Sequence, residues 1–245
     1  MSFLDPGQIK ELVKFARLAD IEARSDLASG GIRDEDDYTS NFTGALRRMI
    51  NTYSQTGLRA KSFLLPTSAE RASGTDAAIV LHRNGQMKVA LFEAKWPRFS
   101  EPGYVWDYKQ SASGLSHFSD QLDRQARHAG VFAIFEMFYC EYGFGEQPAF
   151  MNDLTSSCVW HPQAATYRAA RSSPDGIWSQ ADLRGLISGN RQDIGDILQA
   201  VGECRVGQPL AFPEIDSLAR EFQMTGPVLA IEAAPSDADA LPEMT

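Results

Sequence analysis

Two carboxylates and a lysine, Asp76, Glu93 and Lys95, have the residue types and the spacing to do chemistry. Between the two acids lies Asn84-Gly85, which is typical of a two-residue type I′ turn because both residues accept the positive φ angles that the turn requires. A hairpin around this turn places Asp76 opposite Glu93, and Lys95, two residues farther on, points to the same face. The sequence therefore predicts that the three side chains meet at the open end of one hairpin.

Facing carboxylates of this kind suggest a metal site. They repel each other, so a purely structural sheet gains nothing from placing them together. A divalent cation such as Mg²⁺ or Mn²⁺ would remove the repulsion, since hard cations prefer oxygen ligands. A lysine beside the ion could orient a nucleophile or stabilise charge on a phosphate. The simplest alternative is a surface hairpin with ordinary solvated charges.

A long helix with an acidic first turn is expected upstream, from about Asp34 to Gln55. Capping and the helix macrodipole explain most of that acidic charge. Glu35 differs from Asp36 and Asp37, because helical spacing places it on the apolar stripe that begins at Tyr38. Glu35 is therefore expected to face the sheet, while its two acidic neighbours face solvent.

The elements on both sides of the hairpin predict an α/β core. A short strand is expected at Ser62–Pro66, a helix at Ser113–Ala129 and a buried strand at Val131–Tyr139. The chain order is then helix, strand, hairpin, helix, strand. This order predicts a mixed sheet of four to five strands flanked by helices.

The motif and the order of elements together resemble the PD-(D/E)XK nuclease superfamily. Its motif is an acidic residue on one strand, then Glu or Asp, any residue and Lys on the next; here these are Asp76 and Glu93-Ala94-Lys95, without the Pro before the Asp. The resemblance implies a restriction-endonuclease-like core and phosphodiester hydrolysis that depends on Mg²⁺ or Mn²⁺. Asp76, Glu93, the carbonyl of Ala94 and the upstream Glu35 would hold the ion, and Lys95 would be the catalytic cation.

The resemblance also points to the helix that follows Glu93-Ala94-Lys95. In that superfamily a polar residue of this helix, frequently Gln, lies near the metal or the scissile phosphate. Gln121 is the first candidate and His117 the second, with a surface position as the alternative for both. The Gln-x-x-x-Tyr pattern of some members is not met, because Gln125 stands where Tyr would.

The irregular segment of residues 96–114 contains five aromatic residues interleaved with cations. Such a pattern can stack bases and hold phosphates, so Arg98 and Lys109 are candidate substrate-binding residues. The simpler explanation, which we favour, is that the rings anchor a long loop to the core.

The net charge of −9 is unevenly distributed over the 245 residues. Residues 1–130 carry 17 Lys and Arg against 16 Asp and Glu, and residues 131–245 carry 6 against 16. Local potential governs the approach of a nucleic acid, so the total does not exclude one. DNA is the partner that the resemblance implies, although the spacing suits RNA equally. The acidic C-terminal half suggests a protein partner or a homodimer.

Four segments are expected: an N-terminal helix (1–33), the nuclease-like core (34–142), a C-terminal extension with short helices packed on the core (143–233) and a disordered acidic tail (234–245). No membrane span is expected, because no apolar run is long enough, and residues 1–12 do not have the basic region and apolar run of a signal peptide. Its three widely spaced cysteines are typical of free thiols in the cytoplasm.

Two other interpretations of the whole chain stay open. One is a catalytically inactive, nuclease-fold binding or regulatory protein that acts through a protein partner. The other is an ordinary α/β scaffold whose hairpin charges are incidental.

Overall fold

The computed structural model describes residues 2–65, 74–111, 113–222, 224 and 226–234. Within them the helices are α1 Pro6–Ala28, α2 Glu35–Tyr53, α3 His117–Gln125, α4 His161–Ala170, α5 Gln180–Asn190, α6 Ile194–Gly202 and α7 Ile215–Glu221. The strands are β1 Leu58–Leu65, β2 Ala77–Arg83, β3 Gln86–Lys95, β4 Ala133–Phe138, β5 Ser157–Trp160, β6 Leu210–Ala211 and β7 Gly226–Ala233.

The strands form one mixed, open sheet in the order β1-β7-β2-β3-β4-β5, with the short β6 paired to β3. Parallel pairing joins β7 to β2 and β3 to β4, while the other neighbours are antiparallel. Helices α1, α2 and α6 contribute to the core on one face, and α7 contributes to the core on the other. The α/β class and the order of helix, strand, hairpin, helix and strand between residues 34 and 142 are confirmed.

The C-terminal part of the chain differs from the helical extension that the sequence suggested. It contributes three strands as well as helices, and β7 lies between β1 and β2, one strand in from the edge of the sheet. The sheet therefore has more strands than predicted. The sequence of β7, GPVLAIEA, is a short apolar run with Pro227 at its second position, and periodicity cannot assign such a run to a strand rather than a helix.

Several boundaries also differ. Strand β1 begins at Leu58, four residues before the predicted start, and Pro66, its predicted end, lies outside the described residues. Helix α3 is shorter than predicted, because the preceding residues form a tight turn with a positive φ of 69° at Gly114 and Ser116 caps the helix. Residues 235–245 of the predicted acidic tail lie outside the described residues.

Two further properties bear on the chemistry of the whole chain. All three cysteines have free thiols. In the part of the chain that the structure describes, no helix is both long and apolar enough to cross a membrane.

Candidate active site

The hairpin has the predicted turn and the predicted register. Asn84 and Gly85 have φ angles of 52° and 70°, as a type I′ turn requires. Arg83 pairs with Gln86, and the antiparallel pairing runs without a bulge to the open end of the hairpin. The two strands therefore deliver the acidic residues to the place that the sequence predicts.

Asp76 lies directly before β2, whose last pair on this side is Ala77 with Phe92. Its N–H donates to the carbonyl of Phe92 over 2.9 Å, and its Oδ2 accepts the N–H of Ala94 at 2.7 Å. Burial raises the pKa of Asp76 to about 6, although the charge of Lys95 opposes the shift. Ala94 thus contributes its N–H to Asp76. Its carbonyl oxygen as a metal ligand stays a prediction.

Glu93 is the centre of the cluster. Its side chain is 1% exposed, and its Oε1 accepts hydrogen bonds from Lys95 Nζ and Gln121 Nε2. Its Oε2 is buried and has no hydrogen-bond partner in the described part of the chain. Burial, together with the neighbouring Asp76, raises the pKa of Glu93 well above its usual range. Gln121 is buried rather than on the surface.

Lys95 is the positive charge of this cluster and is itself buried. Burial alone would lower its pKa, but the carboxylates of Glu93, Glu35 and Asp76 raise it above the ordinary value. The surrounding carboxylates therefore favour the charged form of Lys95.

Glu35 faces the sheet, as its helical position predicts. Its Oε1 accepts the N–H of Trp96 at 2.6 Å, which joins the start of α2 to the end of β3. Asp37 instead pairs with Arg33 at 2.9 Å near the surface. Asp36 is exposed, as expected. It also lines the same cleft as the cluster, which the prediction of a solvent-facing side chain did not include.

Asp76, Glu93 and Gln121 border a cleft of about 400 Å³ between α2, the open end of the hairpin and α3, whereas Glu35 and Lys95 are not among its lining residues. Its lining residues are Asp36, Thr39, Ser40, Leu64, Gly74, Thr75, Asp76, Glu93, His117, Gln121, Arg124 and Pro227. Three of them are acidic and one, Arg124, is basic, so the lining contains more acidic than basic side chains.

A second buried polar group lies behind the cleft, and the sequence analysis did not predict it. Parallel pairing of β3 and β4 sets Glu136 beside Glu93. Gln125 donates to the carbonyl of Gly74 at 2.8 Å and to Glu136 Oε2 at 3.3 Å. The ring of His161 lies 2.9 Å from the side-chain oxygen of Gln125 and completes this network.

The signal for this network was present in the sequence. All residues of β4, AIFEMF, are buried, and Glu136 is the one charged residue among them. Burial raises the pKa of Glu136 to about 8. Gln121 and Gln125 lie one helical turn apart and hydrogen-bond to the two neighbouring glutamates. The charged residue within a buried strand predicts a polar partner. A stripe of polar residues on a helix opposite that strand would then have identified the network.

The three predicted substrate-binding residues do not share one location. His117 lines the cleft, and burial together with the charge of Lys95 lowers its pKa to about 4. Arg98 lies 4.5 Å from the ring centre of Trp96 and forms an ion pair with Glu101 at 3.1 Å, away from the cleft lining. Lys109 is exposed and also lies outside that lining.

The donor set can be tested against a hard cation. In the described part of the chain, no three His, Cys, Asp or Glu side chains are arranged to hold a metal ion. Still, the unpartnered Oε2 of Glu93 and the neighbouring carboxylate of Asp76 are the oxygen type that Mg²⁺ or Mn²⁺ prefers. A buried carboxylate oxygen without a donor is costly, and a bound cation would remove that cost.

Comparisons with models of protein families, with curated proteins and with solved structures give no match to this chain. The chemistry of the site therefore rests on its own geometry.

Proposed function

We propose that this chain is a metal-dependent nuclease of the PD-(D/E)XK type, which hydrolyses phosphodiester bonds with DNA as its expected substrate. The observation that carries the proposal is the buried Glu93, which lines a cleft together with Asp76, pairs with Lys95 and keeps one oxygen without a partner among the described residues. The predicted hairpin register, which brings the two acids to neighbouring strands, supports it independently.

The residues have separate tasks in this proposal. Asp76 and Glu93 hold Mg²⁺ or Mn²⁺, and Glu35 assists from the start of α2. When bound, the ion lowers the pKa of its water and neutralises charge that develops on the phosphate. Lys95 orients the attacking water and shares the developing negative charge. Gln121 donates a hydrogen bond to one oxygen of Glu93 and so orients the carboxylate, which leaves the other oxygen directed away from Gln121.

Cleavage assays test the proposal directly. The wild-type protein should convert supercoiled plasmid to nicked or linear DNA in Mg²⁺ or Mn²⁺ and should stop when EDTA removes the metal. Glu93→Gln keeps the size of the side chain but removes its charge, so the rate should fall at least about 10²-fold. A wild-type protein that cleaves neither DNA nor RNA with either metal, or a Glu93→Gln variant as active as wild type, would overturn the proposal.

A nuclease-fold binding protein without activity is the second candidate. The ion pair of Lys95 with Glu93 favours it, because the lysine already satisfies a carboxylate that a metal would otherwise use. The absence of a three-ligand group among the described residues points the same way. Binding of a nucleic acid, or of a protein through the acidic C-terminal half, without cleavage in any divalent metal would select this candidate.

A further inference from the structure

The aromatic segment of residues 96–114 separates, in the structure, into anchoring rings and one exposed ring. Trp106 is 7% exposed and lies against Phe118, Phe138 and Trp178. Tyr108, two residues later, keeps 57% of its surface exposed. Anchoring explains the first ring and leaves the second unexplained.

Tyr108 lies directly beside the cleft. Its ring stacks on that of His117 with centroids 4.5 Å apart and planes 14° from parallel, and His117 lines the cleft with Glu93 and Gln121. The backbone N–H of His117 donates to the carbonyl of Tyr108 at 2.8 Å. The outer face of the Tyr108 ring, which His117 does not cover, therefore forms a flat shelf at the surface beside the cleft.

The shelf is held rigidly. Asp107, which precedes Tyr108, is 3% exposed and accepts the N–H groups of Phe118 and Trp178 at 3.0 and 2.9 Å. His117 is neutral above its pKa of about 4, so the inner ring of the stack carries no charge at neutral pH. A rigid aromatic surface loses little conformational entropy when a flat ligand binds to it.

We propose that the Tyr108–His117 stack is a platform for an unpaired nucleic-acid base, so that the strand in the cleft is single-stranded or frayed at the site of cleavage. Every base has a π-face that can stack on an aromatic ring, and only an unpaired or terminal base exposes it. Lys109 follows Tyr108 and is exposed, so it can contact a phosphate of that strand. The inference rests on the proposed nuclease function and names the form of its substrate.

The test compares binding of two probes in Ca²⁺, which replaces Mg²⁺ to slow cleavage. The probes are a single-stranded 12-nucleotide DNA that contains one 2-aminopurine and a blunt duplex of the same sequence. Tyr108→Ala should weaken binding of the single strand by about 5- to 100-fold and relieve the quenching of 2-aminopurine. Tyr108→Phe keeps the ring and should bind within about twofold of wild type.

Val105→Ala is the matched control, because Val105 is 53% exposed in the same segment. The inference is supported if only Tyr108→Ala loses single-strand binding while its duplex binding stays near that of wild type. Unchanged single-strand binding, or an equal loss on both probes, overturns the inference while wild-type cleavage still stands. A wild-type protein that neither binds these probes nor cleaves in Mg²⁺ or Mn²⁺ removes the nuclease function together with the platform.

Discussion

Two buried carboxylates of this chain, Asp20 and Glu93, have opposite surroundings. Asp20 on α1 is fully buried, and both of its oxygens accept hydrogen bonds: Oδ1 from the hydroxyls of Tyr38 and Ser156 at 2.7 and 2.8 Å, and Oδ2 from the N–H of Ser156 at 2.6 Å. Glu93 is as deeply buried, but one of its oxygens has no partner among the described residues.

The difference separates a structural acid from a candidate site. Burial raises the pKa of both groups, so a raised pKa alone does not distinguish them. Asp20 joins α1, α2 and the segment before β5 through hydrogen bonds, as a structural network does. Glu93 adjoins a cleft, a second carboxylate and a lysine, which is the arrangement that a cation and a phosphate require.

The largest effect is expected when Lys95, the positively charged side chain of the site, is replaced. Lys95→Ala should lower the cleavage rate by about 10²-fold or more, because a well-placed charge in the transition state is lost. The melting temperature should change little, since Glu93 has a raised pKa and can take up a proton when its partner is removed. Plasmid cleavage and melting curves with and without Mg²⁺ measure both properties.

Lys88→Met is the matched control for that variant. Lys88 is a buried lysine of the same strand, and burial lowers its pKa, but its Nζ has no hydrogen-bond partner among the described residues, whereas Lys95 pairs with Glu93. Its replacement should leave cleavage unchanged. If Lys95→Ala mainly lowers the melting temperature, Mg²⁺ restores it and cleavage persists, then Lys95 balances the acids without taking part in chemistry.

Asp20→Ala should produce the opposite pattern. It leaves the hydroxyl of Tyr38 and two donors of Ser156 without their acceptor, which should lower the free energy of unfolding by about 2–4 kcal/mol. For a chain of this size the melting temperature should fall by about 5–15 °C. The cleavage rate at 20 °C should stay near that of wild type. A large loss of activity in folded Asp20→Ala would erase the distinction between the two carboxylates.

The start of α2 offers a smaller and sharper comparison. Glu35→Gln removes the charge that faces the end of β3 and should weaken Mn²⁺ binding about 10-fold or more, the scale for residues that support a metal ligand. Asp36→Asn removes an exposed charge from the lining of the same cleft and should weaken it less than about threefold. Calorimetric titration with Mn²⁺ measures both. Equal effects would return Glu35 to the role of a charge at the helix end.

The smallest expected effect is the pH dependence that Asp20 contributes to stability. Burial raises its pKa from 3.8 to about 6, so between these values the folded state binds more protons than the unfolded state. The free energy of unfolding therefore falls as pH rises through this window. Ionisation of Asp20 should lower it by about 1 kcal/mol between pH 5 and pH 7. Thermal melts at both pH values should show that the free energy of unfolding drops less from pH 5 to pH 7 in Asp20→Asn than in wild type. An identical drop would mean that Asp20 is not titrating in this range.

Local patterns of the sequence were sufficient for the geometry of the hairpin. Asn84-Gly85 determines the turn, the turn determines the register, and the register brings Asp76 against Phe92 and Ala94, which flank Glu93. Helical periodicity likewise predicted that Glu35 faces the sheet. These features depend on a few neighbouring residues, which a sequence displays directly.

Contacts between distant segments could not be predicted in the same way. The position of β7 between β1 and β2 depends on pairing across more than 140 residues, which no local pattern encodes. The contact of Gln125 with His161 likewise joins two helices that are far apart in the chain. The burial of Gln121 was missed for the same reason, although the resemblance singled out the residue.

Binding of Mn²⁺, measured by the loss of its free electron paramagnetic resonance signal, tests the central claim most directly. Wild type should bind Mn²⁺ at the cleft, Asp76→Asn should weaken that binding at least about 10-fold, and folded Asp20→Asn should bind as wild type does. The contradicting result is a wild-type protein that leaves the free Mn²⁺ signal unchanged, or an Asp76→Asn variant with the affinity of wild type.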